Sequence, residues 1–228
     1  MNPDFKENTF LVNLGDKLQE SKYNTPPNIK TVSFRVALNF SKASILPWML
    51  GLMCYFDNWS IGAWIYTVIH ASYGIIWCIK DLTFPDASFD GVLSLGSLIS
   101  LYGWVLCPYY AIGYLVVSGG DAQRNPSNER IFCALMLYIH GLVFMVLTDA
   151  QKYLVLRERK GLIIHGMMGW SRNMNYFGEI MIYASFGIMC QRTEIWCFLL
   201  FVWTMLFGSA MMVKDYSLSK KVEWPGYE

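Results

Sequence analysis

The sequence predicts an all-α, polytopic membrane bundle of about six transmembrane helices, with both termini on the same side. Three observations predict it. Hydrophobic residues make up 54% of the 228 residues and charged residues only 15%, whereas a soluble domain carries about 25% charged residues. The apolar residues gather into runs of about 20, the length that crosses a bilayer. Lys and Arg crowd onto one side of those runs. The mean hydropathy of +0.32 leaves room for sizeable polar segments between spans. A net charge of +1 gives no bulk field toward DNA or RNA, so nucleic acid is not an expected partner.

Residues 1–32 are polar and mixed in charge, with Pro26-Pro27 near their end. They read as an N-terminal arm, distinct from a transmembrane domain over 33–228. No apolar h-region marks a secretory signal, and Asp4, Glu7, Asp16 and Glu20 argue against an acid-poor transit peptide. Internal targeting would look the same, so the endoplasmic reticulum and the mitochondrial inner membrane both stay open. Phe10, Leu11, Leu14 and Leu18 are spaced for a short amphipathic helix from about Phe10 to Lys22. Such a helix is marginal alone and needs a partner surface or the membrane interface. Protein partners are therefore expected through 1–32 and the polar tail 214–228, beside membrane lipid.

Two spans, about 36–56 and 60–79, are joined by the turn Phe56-Asp57-Asn58-Trp59-Ser60. Pro47 should kink the first, because proline lacks an amide donor. Lys80-Asp81 ends the second, and Phe84-Pro85-Asp86 reads as a turn. A third run covers 91–117, broken at Pro108, and a polar loop follows from Gly119 to Arg130. The remaining spans are about 131–148, 174–191 and 195–213, with a polar segment at 149–172. With six spans, 15 of the 18 Lys and Arg residues fall on one side, and Arg124, Arg130 and Arg192 on the other. Both termini should then face the cytosol or the matrix. The six cysteines lie in apolar stretches without a Cys-x-x-Cys pair. They read as buried thiols packing as small hydrophobes, with no metal site.

The chemistry-bearing stretch runs from Asp149 to Glu179. A carboxylate near membrane depth is costly and marks a functional site by default. Arg172, Asn175 and Glu179 are spaced three then four apart, and on a helix they would share one face. Lys152, Arg157, Arg159 and Lys160 suit phosphates, or equally the headgroups of anionic lipid. Asp149, Arg172 and Glu179 also fit a structural ion-pair network.

Asp149-x-Gln151-Lys152, Gly169-Trp170-Ser171-Arg172 and Asn175-Tyr176-Phe177-Gly178-Glu179 resemble the steroid 5-alpha-reductase superfamily. The closest part is its steroid-reductase-like branch of unknown function, whose pattern reads roughly D-x-Q-K then R-H-P-N-Y-F-G-E. The likeness extends over about 65–228. It implies a helical membrane enzyme that uses NADPH to reduce a carbon–carbon double bond conjugated to a carbonyl, in a steroid, polyprenoid or acyl lipid. By this resemblance Asp149, Lys152, Arg172, Asn175, Glu179 and Tyr216 bind the cofactor, and Tyr73 is the carbonyl-binding tyrosine. The sequence departs from the pattern in places. Asn173-Met174 replaces the His-Pro step, Met212 and Met145 stand where relatives carry His and Asn, and the tail is short. The first two spans hold no Glu to support Tyr73.

Two alternatives follow from these departures and from the motif. One is a non-catalytic supernumerary subunit of a large membrane complex such as a respiratory-chain assembly. The other is a methyltransferase of the isoprenylcysteine or phospholipid type.

Overall fold

The computed structural model describes residues 23–219, together with 13–14 and 16–17. Strand β1 (Lys30–Ser33) leads into α1 (Phe34–Ala43), α2 (Ile45–Tyr55) and α3 (Ile61–Thr83). A short turn of helix, Ala87–Phe89, precedes β2 (Val92–Ser94). Then come α4 (Leu95–Leu101), a π-helical stretch at Tyr102–Leu106 and α5 (Cys107–Val117). After α6 (Asp121–Arg124) and the long α7 (Asn128–Glu158), the chain forms α8 (Met167–Trp170) and α9 (Met174–Cys190). It finishes with α10 (Thr193–Phe201), a π-helical stretch at Val202–Gly208 and α11 (Ser209–Ser219). The expected helix from Phe10 to Lys22 and the tail beyond Ser219 lie largely outside the described residues.

The result is an all-α polytopic membrane bundle with one small antiparallel sheet. Five helical stretches are long and apolar enough to cross a bilayer: 34–55, 61–83, 95–117, 128–158 and 193–219. The expected fifth span, α9, has 17 residues and is about 26 Å long, slightly short of the hydrocarbon core. It is well enclosed, with Ile182, Phe186, Met189 and Cys190 fully buried.

Serines set the starts of several helices. Ser33, Ser60, Ser94 and Ser127 each accept a hydrogen bond from the amide three residues on, satisfying one of the donors a helix start leaves open. The break in the first span falls at Ser44, between α1 and α2, rather than at Pro47. Pro47 sits in the first turn of α2, where its missing amide has no helical acceptor to lose.

Three boundaries move relative to the sequence reading. Helix α3 runs through Lys80-Asp81 to Thr83. Helix α7 continues to Glu158, so Asp149, Lys152 and Arg157 are helical; Gln, Lys, Leu, Arg and Glu are all good helix formers outside the bilayer. The arm's last residues pair with the start of the third apolar run, Lys30 opposite Ser94 and Ser33 opposite Val92.

The cysteines are corrected too. Cys190 is buried, but Cys54, Cys107, Cys133 and Cys197 lie on the outer face of the bundle. So do Phe40, Trp104, Phe132 and Ile139. In a bilayer the surrounding solvent is itself apolar, so small thiols need no burial in protein.

Candidate active site

Helices α7 and α9 carry the resembled motif, and glycines lock them together. A Cβ on Gly178 would stand 2.5 Å from the Gly141 carbonyl oxygen, and one on Gly141 would stand 2.6 Å from that of Gly178. The two backbones therefore touch, which only small residues allow. Gly178 lies between Asn175 and Glu179, so this contact holds both against the Met145–Asp149 turn of α7.

A cavity of about 540 Å³ opens at this end of the bundle, within the usual range for a cofactor or ligand site. Its wall includes Asp149, Lys152, Asn175 and Glu179, four of the residues singled out in the sequence. Lys80, Asp81, Asp86, Arg157 and Lys214 join them, with Trp77, Phe84, Tyr153 and Tyr176 as aromatic lining. Every one comes from the end that carries most of the Lys and Arg.

The charges are paired. Lys80 Nζ lies 2.5 Å from Asp149 Oδ2, with only 8% of the Lys80 side chain exposed, and it also stands over the Trp77 ring at 4.1 Å. Lys152 Nζ lies 2.9 Å from Asp86 Oδ2. Partial burial opposes ionisation of Asp86, but the hydrogen bond and charge of Lys152, with the Ser88 amide, outweigh it and hold its carboxyl down at about 2. Asn175 Oδ1 is buried and accepts no hydrogen bond among the described residues. Such an atom is costly unless a ligand donor reaches it.

The loop at 84–90 forms one rim of the cavity and is strapped from outside. Arg35 pairs with Asp81 and with Asp90, the latter at 2.7 Å, and donates to the Asp86 carbonyl at 2.9 Å. Asn39 Nδ2 donates to Asp81 Oδ2 at 2.7 Å, and Tyr23 OH to the Ser88 carbonyl at 2.7 Å.

Arg172 stands apart. It precedes α9 in a turn, so it does not share the helical face of Asn175 and Glu179. It pairs with Asp215 at 3.5 Å, and its carbonyl accepts from Lys214 Nζ at 2.6 Å. The expected network of Asp149, Arg172 and Glu179 is replaced by Lys80–Asp149 and Arg172–Asp215. Tyr216 lies on α11, and neither it nor Arg172 lines the cavity. Tyr73 is buried inside the bundle, its hydroxyl 3.0 Å from that of Tyr183. Tyr183 in turn donates to Glu179 Oε2 at 3.3 Å, so Tyr73 reaches the cavity wall through two side chains.

Sequence reasoning missed Lys80, Asp86 and Lys214 as cavity residues. Lys80 was visible only as a cation at a span end, where a lysine ordinarily snorkels to the interface, so nothing in the sequence singled it out. Asp86 and Lys214 become neighbours of α7 only through the tertiary fold.

The family model for a protein of unknown function, DUF1295, matches residues 100–224. No curated protein and no solved structure matches. The match covers more than half of the 228 residues, and the chain belongs to the DUF1295 family.

Proposed function

We propose that this DUF1295 member is an NADPH-dependent membrane reductase of the steroid 5-alpha-reductase superfamily, acting on a carbon–carbon double bond conjugated to a carbonyl in a lipid. The observation that carries the reading is the cavity that gathers Asp149, Lys152, Asn175 and Glu179 on the charged end of the bundle. Its donor set fits a dinucleotide. Lys152, Arg157 and Lys214 would hold phosphates by charge-assisted hydrogen bonds. The orphaned Asn175 Oδ1 and the Glu179 carboxylate are acceptors for amide or ribose donors. The aromatic lining suits a flat ring.

When bound, NADPH supplies the hydride and leaves as NADP⁺. The overall reaction consumes one further proton and yields the saturated carbonyl compound. This chain's groups orient the cofactor, exclude water and stabilise charge on the carbonyl oxygen. The side that carries the cavity is the cytosolic or matrix side by the positive-inside rule.

The test is equilibrium NADPH binding by the purified protein in lipid nanodiscs, read by nucleotide fluorescence. Lys152→Ala should weaken binding about ten- to hundredfold, for loss of a charge-assisted hydrogen bond, and Asn175→Ala about tenfold or less, for loss of a neutral one. Arg172→Ala should weaken it less than Lys152→Ala, because Arg172 lies off the cavity. A second reading, the non-catalytic subunit, is favoured by one observation: Lys80 and Lys152 already have carboxylate partners in Asp149 and Asp86. Absence of NADPH binding in the parent protein would select it.

A further inference from the structure

The outer face of α7 carries an ionisable side chain at a depth that water does not reach. Arg130 and Asp149 bracket the apolar part of this helix, at opposite ends of the bundle. His140 lies ten residues after Arg130 and nine before Asp149, about 15 Å and about 14 Å along the helix. Together the two distances match the hydrocarbon thickness of about 30 Å, so His140 stands at the bilayer midplane.

The packing of α7 turns this residue outward. Ala134, Tyr138, Gly141, Met145 and Thr148 are its buried positions, spaced four and three apart. That stripe lies on α9 through the Gly141–Gly178 contact. His140 is exposed, and so are Met136, Ile139, Val143 and Leu147 around it.

The two ring nitrogens of His140 differ. Nδ1 lies 2.7 Å from the Met136 carbonyl oxygen, one turn back on the same helix. A carbonyl only accepts, so Nδ1 carries a proton. In the neutral ring Nε2 is then a bare acceptor, and it has no hydrogen-bond partner among the described residues. In hydrocarbon such a group is costly. Snorkelling does not relieve it, because the side chain is short and the headgroups are about 14 Å away.

We infer that the outer face of α7 docks a transmembrane helix of another protein, which donates a hydrogen bond from a hydroxyl or side-chain amide to His140 Nε2. Side chains of this kind join helices inside membranes. Met136, Ile139, Val143 and Leu147 supply the apolar ridge on either side. Lipid tails carry no donor. A second copy of this chain does not supply one either. Two copies related by an axis along the bilayer normal bring the same depth together. There each offers a His140 whose proton is already given to Met136. The inference stands whether the protein is a reductase or a non-catalytic subunit.

The test measures association of the full-length chain with synthetic transmembrane helices in lipid vesicles, by energy transfer from a dye on the protein to a dye on the peptide. The probes are a leucine-rich host helix and three versions of it that carry Ser, Tyr or Asn at the centre. At least one of the three should bind the parent protein about five- to thirtyfold more tightly than the host, the gain of one hydrogen bond between helices in a bilayer. His140→Phe and His140→Leu, which keep an apolar surface there, should each remove that gain. Moving the donor two turns from the peptide centre should remove it as well. Equal affinity for all the peptides, no binding, or an undiminished gain in either variant would overturn the inference. Self-association of the parent protein that His140→Phe abolishes would also overturn it, by assigning the face to a second copy.

Discussion

At the end of the bundle where the turns after α2, α5 and α9 meet, the spans are joined by neutral hydrogen bonds and backbone contact. Asn58 Nδ2 donates to the Val117 carbonyl at 2.6 Å, and Gln123 Nε2 to the Cys190 carbonyl at 2.9 Å, both buried. Gly62 lies so close to the Gln123 carbonyl that a Cβ has no room. At the opposite end, charged side chains from α3, α7, α9 and α11 stand around a cavity, and the loop at 84–90 is tied back from outside. One end is closed by fit and the other is held open by charge. Uncharged amides that satisfy carbonyls can be buried at little cost, whereas charges need partners or water. The contrast assigns fold stability to the first end and ligand chemistry to the second.

The largest effect should come from breaking the closed end. Gly62→Ala forces a methyl into backbone and should destabilise the protein by about 1–3 kcal/mol, as overpacking does. Asn175→Ala at the open end deletes an unsatisfied buried acceptor, so it should leave stability unchanged or slightly raised. Thermal unfolding of both variants in the same detergent checks this. A Gly62→Ala protein as stable as the parent, or an Asn175→Ala protein that unfolds much earlier, would erase the distinction.

A smaller effect concerns the loop at the cavity rim. The Asp86 carboxyl is held at about 2, below its ordinary value of 3.8. A depressed carboxylate contributes stability above its unfolded-state value and loses it as pH falls through the folded-state value. The loop should therefore stay docked down to about pH 4 and loosen between there and about 2. Asp86→Asn should remove that transition. A spin-label distance between positions 87 and 156 reports it. A loop that opens at neutral pH, or an Asp86→Asn protein with an unchanged acid transition, would show that Lys152 does not hold the rim.

The spans were legible because apolar runs of bilayer length have few other uses. The Asn175-to-Glu179 block was legible because its residues are local to one helix, and the structure sets Asn175 and Glu179 side by side on the cavity. Arg172 was misplaced for a local reason. The turn at Arg172-Asn173 starts the helix late, and a spacing rule cannot see where a helix begins. The pairing of 30–33 with 92–94 was invisible, since a strand of four residues carries almost no period. Lys80–Asp149 and Lys152–Asp86 depend on which segments pack together, and no pattern within one segment encodes that.

The central claim is that the open end holds a dinucleotide. The most direct measurement is a cryo-electron microscopy map of the protein in lipid nanodiscs at saturating NADPH. The account predicts dinucleotide density in the cavity, with its phosphates against Lys152 and Lys214 and a hydrogen-bond donor on Asn175 Oδ1. Lipid or nothing in that cavity, with Lys152 still paired to Asp86, would contradict it.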